Sequence, residues 1–178
     1  MSIRTLSSEL VWENPWLRVR EDRVEYEDGR QGVHAVVERD DFAVIVPEEN
    51  DGFHLVEQYR YATSRRSWEF PSGSFPMGVS GSPEEMARAE LREETGLTAR
   101  VWRDLGLLHV ANGSTDQAAH VFHATGLTPG PPEREVGEQD MRERWFSRSD
   151  FEGMVRDGVI TDGPTVAAYL LLQLHEKT

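Results

Sequence analysis

Ser82-Pro83-Glu84-Glu85-Met86-Ala87-Arg88-Ala89-Glu90-Leu91-Arg92-Glu93-Glu94-Thr95-Gly96-Leu97 is the stretch that decides how this chain reads. Ser82 is a helix N-cap, Pro83 suits the first helical position, and Glu85 stands where a capping box places its acid. Gly96 supplies the C-terminal cap, so a helix is predicted from Ser82 to about Thr95. Residues three and four apart share a helix face, which brings Glu90, Glu93 and Glu94 together. They lie near the end where the helix dipole disfavours negative charge. A solvated acidic face would explain a bare Glu-x-x-Glu-Glu. A hard cation explains this placement better, because magnesium takes oxygen ligands and bridges carboxylates to phosphates.

Before that helix the chain reads as strands. Residues 16–20, 23–26 and 33–37 alternate in polarity, with Asp28-Gly29 as a hairpin turn between the second and third runs. Phe42 to Val46 is continuously apolar, as in a strand buried on both faces. Asn50-Asp51-Gly52 turns it into a strand from Phe53 to Tyr59. Beyond Gly96, strands are predicted at Arg100–Val110 and Ala118–Ala124, with a loop at Gly130-Pro131-Pro132 that leads to Arg144-Trp145-Phe146. A short helix opens at Ser149 and stops at Gly158. A last helix, Pro164 to Leu174, would pack Val166, Tyr169, Leu170 and Leu174 on the sheet. The pattern is α+β, a mostly β domain layered with helices.

Composition bounds the function. A length of 178 residues suits one domain. No apolar run is long enough for a membrane span, and no secretory signal is present. The absence of cysteine excludes disulfides and thiolate metal sites, and a reducing cytoplasm is the expected location. A net charge of −13 argues against nucleic acid as partner. It leaves room for an anionic small molecule, since a metal ion and a few arginines reverse the field inside a pocket.

The helix resembles the second half of the Nudix box, matched in register by Glu90, Leu91, Glu93, Glu94, Gly96 and Leu97, with Gly73 as the box's opening glycine. Glu57-Gln58-Tyr59-Arg60, Trp68-Glu69-Phe70-Pro71-Ser72-Gly73, Asn112-Gly113-Ser114-Thr115-Asp116 and Asp157-Gly158-Val159-Ile160-Thr161-Asp162 are similar to the ADP-ribose and ADP-sugar pyrophosphatase branch of that family. The resemblance spans nearly the whole chain. It implies an α/β/α sandwich with a mixed sheet and an N-terminal antiparallel extension. Residues 1–178 would form a single domain, with residues 1–40 serving as a dimerisation region of a homodimer. It also implies hydrolysis of a nucleoside diphosphate sugar with Mg2+ or Mn2+.

The box is incomplete. Ala89 replaces its arginine; Arg88 and Arg92 lie nearby, but a one-residue step rotates a side chain by about 100°. Val79 replaces its first glutamate, and a two-residue insertion falls in Gly78-Val79-Ser80-Gly81-Ser82. Gln117 stands where the branch has a glutamate. The resemblance implies metal ligation by Glu90, Glu94 and the Ser72 carbonyl, with Glu93 a ligand or its catalytic partner. In the acidic loop Glu133–Glu143, Glu138 is the candidate general base and Asp140 a further metal ligand. Arg60 would pair with a phosphate through its planar fork. Glu69 would hold a ribose hydroxyl or the loop itself. Arg65 and Arg66 read as surface charges. Trp12, Trp16 and Trp68 could stack on a base, though strand aromatics are more commonly core. His120 and His123 face opposite sides of a strand and read as structural. A dinucleotide, a GDP-sugar, or binding with little turnover are the alternatives.

Overall fold

The fold, taken from a computed structural model, is described for residues 3–74, 81–134 and 136–177. It begins with an antiparallel sheet of β1 (Ile3–Glu13), β2 (Arg18–Tyr26) and β3 (Gln31–Glu38), in that order. The Asp28-Gly29 turn closes β2 onto β3, with Gly29 at φ 81°, a conformation that costs glycine little. The first two alternating runs, at 16–20 and 23–26, belong to one strand, β2. β1 has no counterpart in the sequence reading. It is exposed along its whole length and carries two register shifts against β2, so no burial period marks it.

The body contains β4 (Phe42–Pro47), β5 (Gly52–Arg60), β6 (Arg65–Glu69) and β7 (Ser72–Gly73), then helix α1 (Pro83–Thr95). β8 (Thr98–His109), β9 (Ala118–Thr128), β10 (Arg142–Ser147), α2 (Arg148–Arg156) and α3 (Gly163–Glu176) complete it. A four-stranded sheet runs β7-β4-β9-β8, with β4 and β9 parallel and the other pairs antiparallel. A second sheet runs β10-β5-β6 and is antiparallel. The parallel bridge Val37 to Thr115 joins the end of β3 to this body.

β4 sets the layers. Its side chains alternate between faces, and both faces are buried. Ala43 and Ile45 pack with Met86, Ala87 and Leu91 of α1. Val44 and Val46 pack with Phe53, Leu55, Phe70, Phe151, Ala168 and Leu172 on the opposite side. The mixed sheet is thus sandwiched between α1 and the C-terminal helices, as expected. Each such aliphatic side chain contributes about 1.5–3 kcal/mol when fully buried. Stacking of Phe70 on Phe151 at 5.3 Å, and edge contacts of Phe53 with both, order the second core.

The last helix corrects one expectation. α3 buries Thr165, Ala168, Tyr169 and Leu172, whereas Leu170 and Leu174 are exposed. The helix is apolar around most of its circumference, so periodicity alone did not define the buried side. Ala168 allows the close approach to the sheet. Arg148 anchors this layer, reaching Glu48 at 2.6 Å and Glu176 at 2.7 Å with its guanidinium over the Phe53 ring. His123 also bonds Glu48, at 2.7 Å, and His120 lies 3.3 Å from Asp41. Both histidines sit in carboxylate pairs, and neither lines the pocket described next.

Candidate active site

α1 has the caps that its sequence demands. The Ser82 hydroxyl accepts the Glu85 N–H at 3.2 Å, and the Glu85 carboxylate accepts the Ser82 N–H at 2.7 Å. Gly96 caps the other end at φ 75°, its N–H donating to the Arg92 carbonyl. Leu91, wholly buried between Glu90 and Glu93, fixes the rotation of the helix against the sheet. The glutamates therefore face β7.

Each glutamate has its own environment. Glu94 is 1% exposed and accepts the Ser72 backbone N–H at 2.9 Å. Burial, reinforced by the negative charges of Glu90 and Glu138, pushes its carboxyl well above the ordinary range; the Ser72 bond and Arg60 oppose this. Glu90 lies under Gly73, where a Cβ would come within 3.0 Å of both its carboxylate oxygens. The opening glycine is needed here because its missing side chain leaves the space that Glu90 occupies. Glu93 is half-buried, with Arg92 at 3.8 Å.

A polar pocket of about 500 Å³ opens over this helix. Ser72, Glu90, Glu93, Arg60 and Glu138 all line it. Five predicted site residues, from four separate parts of the chain, thus come together. Glu94 lies just beneath, bonded to Ser72. Arg60 is also committed to Glu69: its Nε lies 3.0 Å from both carboxylate oxygens, and its terminal nitrogen donates to the same carboxylate. Glu69 is 2% exposed and supports Arg60 from behind, without lining the pocket itself. Asp140 is exposed, outside the pocket lining, and accepts a 2.6 Å bond from Arg66, which holds its carboxyl below the ordinary range. Val79 and residues 78–80 of the insertion lie outside the described residues.

Of the arginines near Ala89, Arg88 is engaged away from the pocket, whereas Arg92 lies between Glu93 and Glu133. Arg88 bonds Glu84 at 2.7 Å and lies over the Trp102 ring, and Arg92 lies 3.5 Å from Glu133. Arg39, Asp40 and Pro15 complete the wall with Trp16 and Gln117. The first three were not anticipated. For Arg39 and Asp40 the only sequence signal was the charged break Glu38-Arg39-Asp40-Asp41 between two apolar strands. Gln117 holds the wall together by donating to the Asp40 carbonyl at 2.8 Å. Trp16 is 73% exposed at the pocket edge, and Trp12 is also exposed, so neither is core; Trp68 packs on Phe146. Arg66 is an exposed charge, as read, and ties Glu57 to Asp140.

Among the described residues, no three histidine, aspartate or glutamate side chains converge into a ready-made metal cage. Like charges keep carboxylates apart when nothing neutralises them. The donor set is still all oxygen and anionic, with one carboxylate buried and another cradled under Gly73. That chemistry fits a hard divalent cation.

A glutamate helix set against a glycine loop, on a mixed sheet between helices, defines the class, and the chain belongs to the Nudix family, whose NUDIX domain matches residues 37–169. Hydrolases of this family generally need a divalent metal. Residues 3–37 match the nucleoside diphosphate sugar hydrolase N-terminal domain. The chain is 34% identical to the ADP-ribose pyrophosphatase of Mycobacterium tuberculosis (strain ATCC 25618 / H37Rv), over 98% of this chain and 84% of that protein. It is 26% identical to the ADP-ribose pyrophosphatase of Bacillus subtilis (strain 168), over 97% and 94%. Its fold matches the crystal structure of an ADP compounds hydrolase with a TM-score of 0.86 at 20% identity, covering 99% of this chain and 95% of that one. No helix among the described residues is long and apolar enough to cross a membrane.

Proposed function

We propose that this protein is a metal-dependent pyrophosphohydrolase that splits the diphosphate linkage of an ADP-sugar, ADP-ribose first among them, into AMP and a sugar phosphate. The observation that carries this reading is the buried Glu94, bonded to Ser72 beneath a pocket lined by Glu90, Glu93, Glu138 and Arg60. The names of the two bacterial relatives support the choice of sugar nucleotide.

Glu90, Glu94 and the Ser72 carbonyl are the proposed holders of Mg2+ or Mn2+, with Glu93 a ligand or a partner to one and Asp140 a further ligand on exchanging its bond to Arg66 for the ion. Such an ion, when bound, neutralises diphosphate charge and acidifies water. Glu138 takes the proton from the attacking water. The water oxygen bonds to phosphorus, the bridging phosphorus–oxygen bond breaks, and the departing phosphate leaves as an anion. Arg60, steadied by Glu69, pairs with phosphate oxygens. The cytoplasm is the proposed location. A homodimer is proposed through the N-terminal sheet, whose exposed Ile3, Leu6, Leu10, Val11 and Trp12 offer the apolar surface.

One observation favours a slower enzyme, or a nucleotide-binding module with little turnover. Ala89 stands where the box has arginine, and Arg88 points at Glu84 instead. Incubation of the full chain with Mg2+ and a panel of ADP-sugars, GDP-sugars and dinucleotides separates these readings by product. AMP from ADP-ribose supports the first; tight binding without product supports the module.

A further inference from the structure

We propose that Arg134 is a positioning residue that sets the gap between the glutamate helix and the loop bearing Glu138; the inference rests on the role given to Glu138 above. Arg134 is half-buried and stands between the two. Its Nε donates to the Glu94 carbonyl at 2.9 Å, and a terminal nitrogen donates to the Met141 carbonyl at 2.5 Å. One rigid guanidinium thus spans the end of α1 and the far side of the loop.

The loop is built around this side chain. The Met141 N–H donates to the Glu138 carbonyl at 2.9 Å, and the Gln139 amide donates to the Arg134 carbonyl at 2.9 Å. Met141 itself is buried and pins the loop to the core. On the helix side, the Glu133 N–H donates to the Glu93 carbonyl at 3.0 Å. Gly96 and Gly130 lie so close that a Cβ on Gly96 would run into the Gly130 backbone. The Glu93 and Glu94 carbonyls are therefore satisfied by the segment leading into the Glu138 loop, and Arg134 makes the bond that reaches across it.

The placement suits both ends. A cation beside the last turn complements the helix dipole, which the glutamates themselves oppose. Both Arg134 bonds go to backbone carbonyls and not to a glutamate carboxylate. A base displaced by about 1 Å loses on the order of a hundredfold in rate, so a strut of fixed length has a catalytic consequence.

The test uses the full chain with Mg2+ and ADP-ribose, and four variants: Arg134→Ala, Arg134→Lys, Glu138→Gln and the Arg134→Ala/Glu138→Gln double. Arg134→Ala is expected to lower kcat by about ten- to a hundredfold, with KM nearly unchanged. In the Glu138→Gln background the same change is expected to lower kcat by no more than about twofold, because the two act as a unit. Metal-free hydrogen exchange gives a second readout: residues 136–142 exchange faster in Arg134→Ala, while residues 83–91 do not. Arg134→Lys keeps the charge without the fork and shows a smaller loss, which covers the case of a poorly folding alanine variant. Equal losses in both backgrounds, unchanged loop exchange, or full kcat in Arg134→Ala would overturn the strut. Wild-type turnover by Glu138→Gln would overturn the reading of Glu138 as base, and the strut with it.

Discussion

The Ser72 backbone N–H donates to the Glu94 carboxylate at 2.9 Å, which joins the glycine loop to the glutamate helix at a glutamate hidden from solvent. Metal binding at this joint is expected to stabilise the protein by mass action, by about 2.7 kcal/mol at a hundred times Kd. For a chain of this size, that raises Tm by roughly 5–10 °C. Thermal melts with and without Mn2+ check the shift, and Glu94→Gln is expected to lose most of it. An equal shift in the variant would remove Glu94 from the metal site.

Gly73 and Glu90 make the second prediction. A Cβ at residue 73 would meet the Glu90 carboxylate, so Gly73→Ala must push that side chain out of place. Glu90 is half-buried at a pocket wall and can move without disturbing the core. Steady-state kinetics should show a kcat loss on the order of tenfold to a hundredfold with little change in Tm. A variant with wild-type kcat would mean that the position of Glu90 is not critical.

Arg60 and Glu69 form a pair with one end in the core. Arg60→Ala leaves the Glu69 carboxylate buried without a partner, at a cost of about 3–5 kcal/mol. Glu69→Gln in the same chain should recover much of that stability. The KM for a sugar diphosphate should stay raised in both variants, because neither has the phosphate-binding fork. Denaturant melts and kinetics on the two variants separate these effects. Recovery of KM in the double variant would show that Arg60 serves the fold alone.

How much was legible follows from how local each feature is. The caps of α1, its glutamate face and the strand β4 are written in adjacent residues, and all appear as read. The pocket wall is not local. Arg39 and Asp40 follow β3, Gln117 precedes β9, and Trp16 precedes β2; only the folded sheets bring them around Glu90. Arg66 and Asp140 are 74 residues apart, so no spacing rule links them. β1 escaped because an exposed strand has no burial period, and the face of α3 was only half right, Tyr169 and Val166 packing on the core but Leu170 and Leu174 not, because apolar residues surround the helix. Pairing, unlike patterning, depends on partners distant in sequence.

Glu48 provides a pH test remote from the pocket. The hydrogen bond from His123, with that from Arg148, holds its carboxyl below the ordinary value despite burial. A depressed pKa stabilises the fold above the unfolded value, near 4.5, and that contribution disappears as pH falls through the folded value. Glu48→Gln is expected to cost about 2 kcal/mol at pH 7 and to make stability less steep in acid. Urea melts from pH 7 downwards check both. A variant whose acid limb matches wild type would place the sensitivity elsewhere.

The most direct test of the central claim is product analysis of ADP-ribose incubated with the full chain and Mg2+, in wild type and in Glu94→Gln. Wild type should give AMP and ribose 5-phosphate in equal amounts. The variant should be at least about a hundredfold slower, the loss of close to 3 kcal/mol of transition-state stabilisation. Intact ADP-ribose after incubation with wild type, or equal rates for the two proteins, would contradict it.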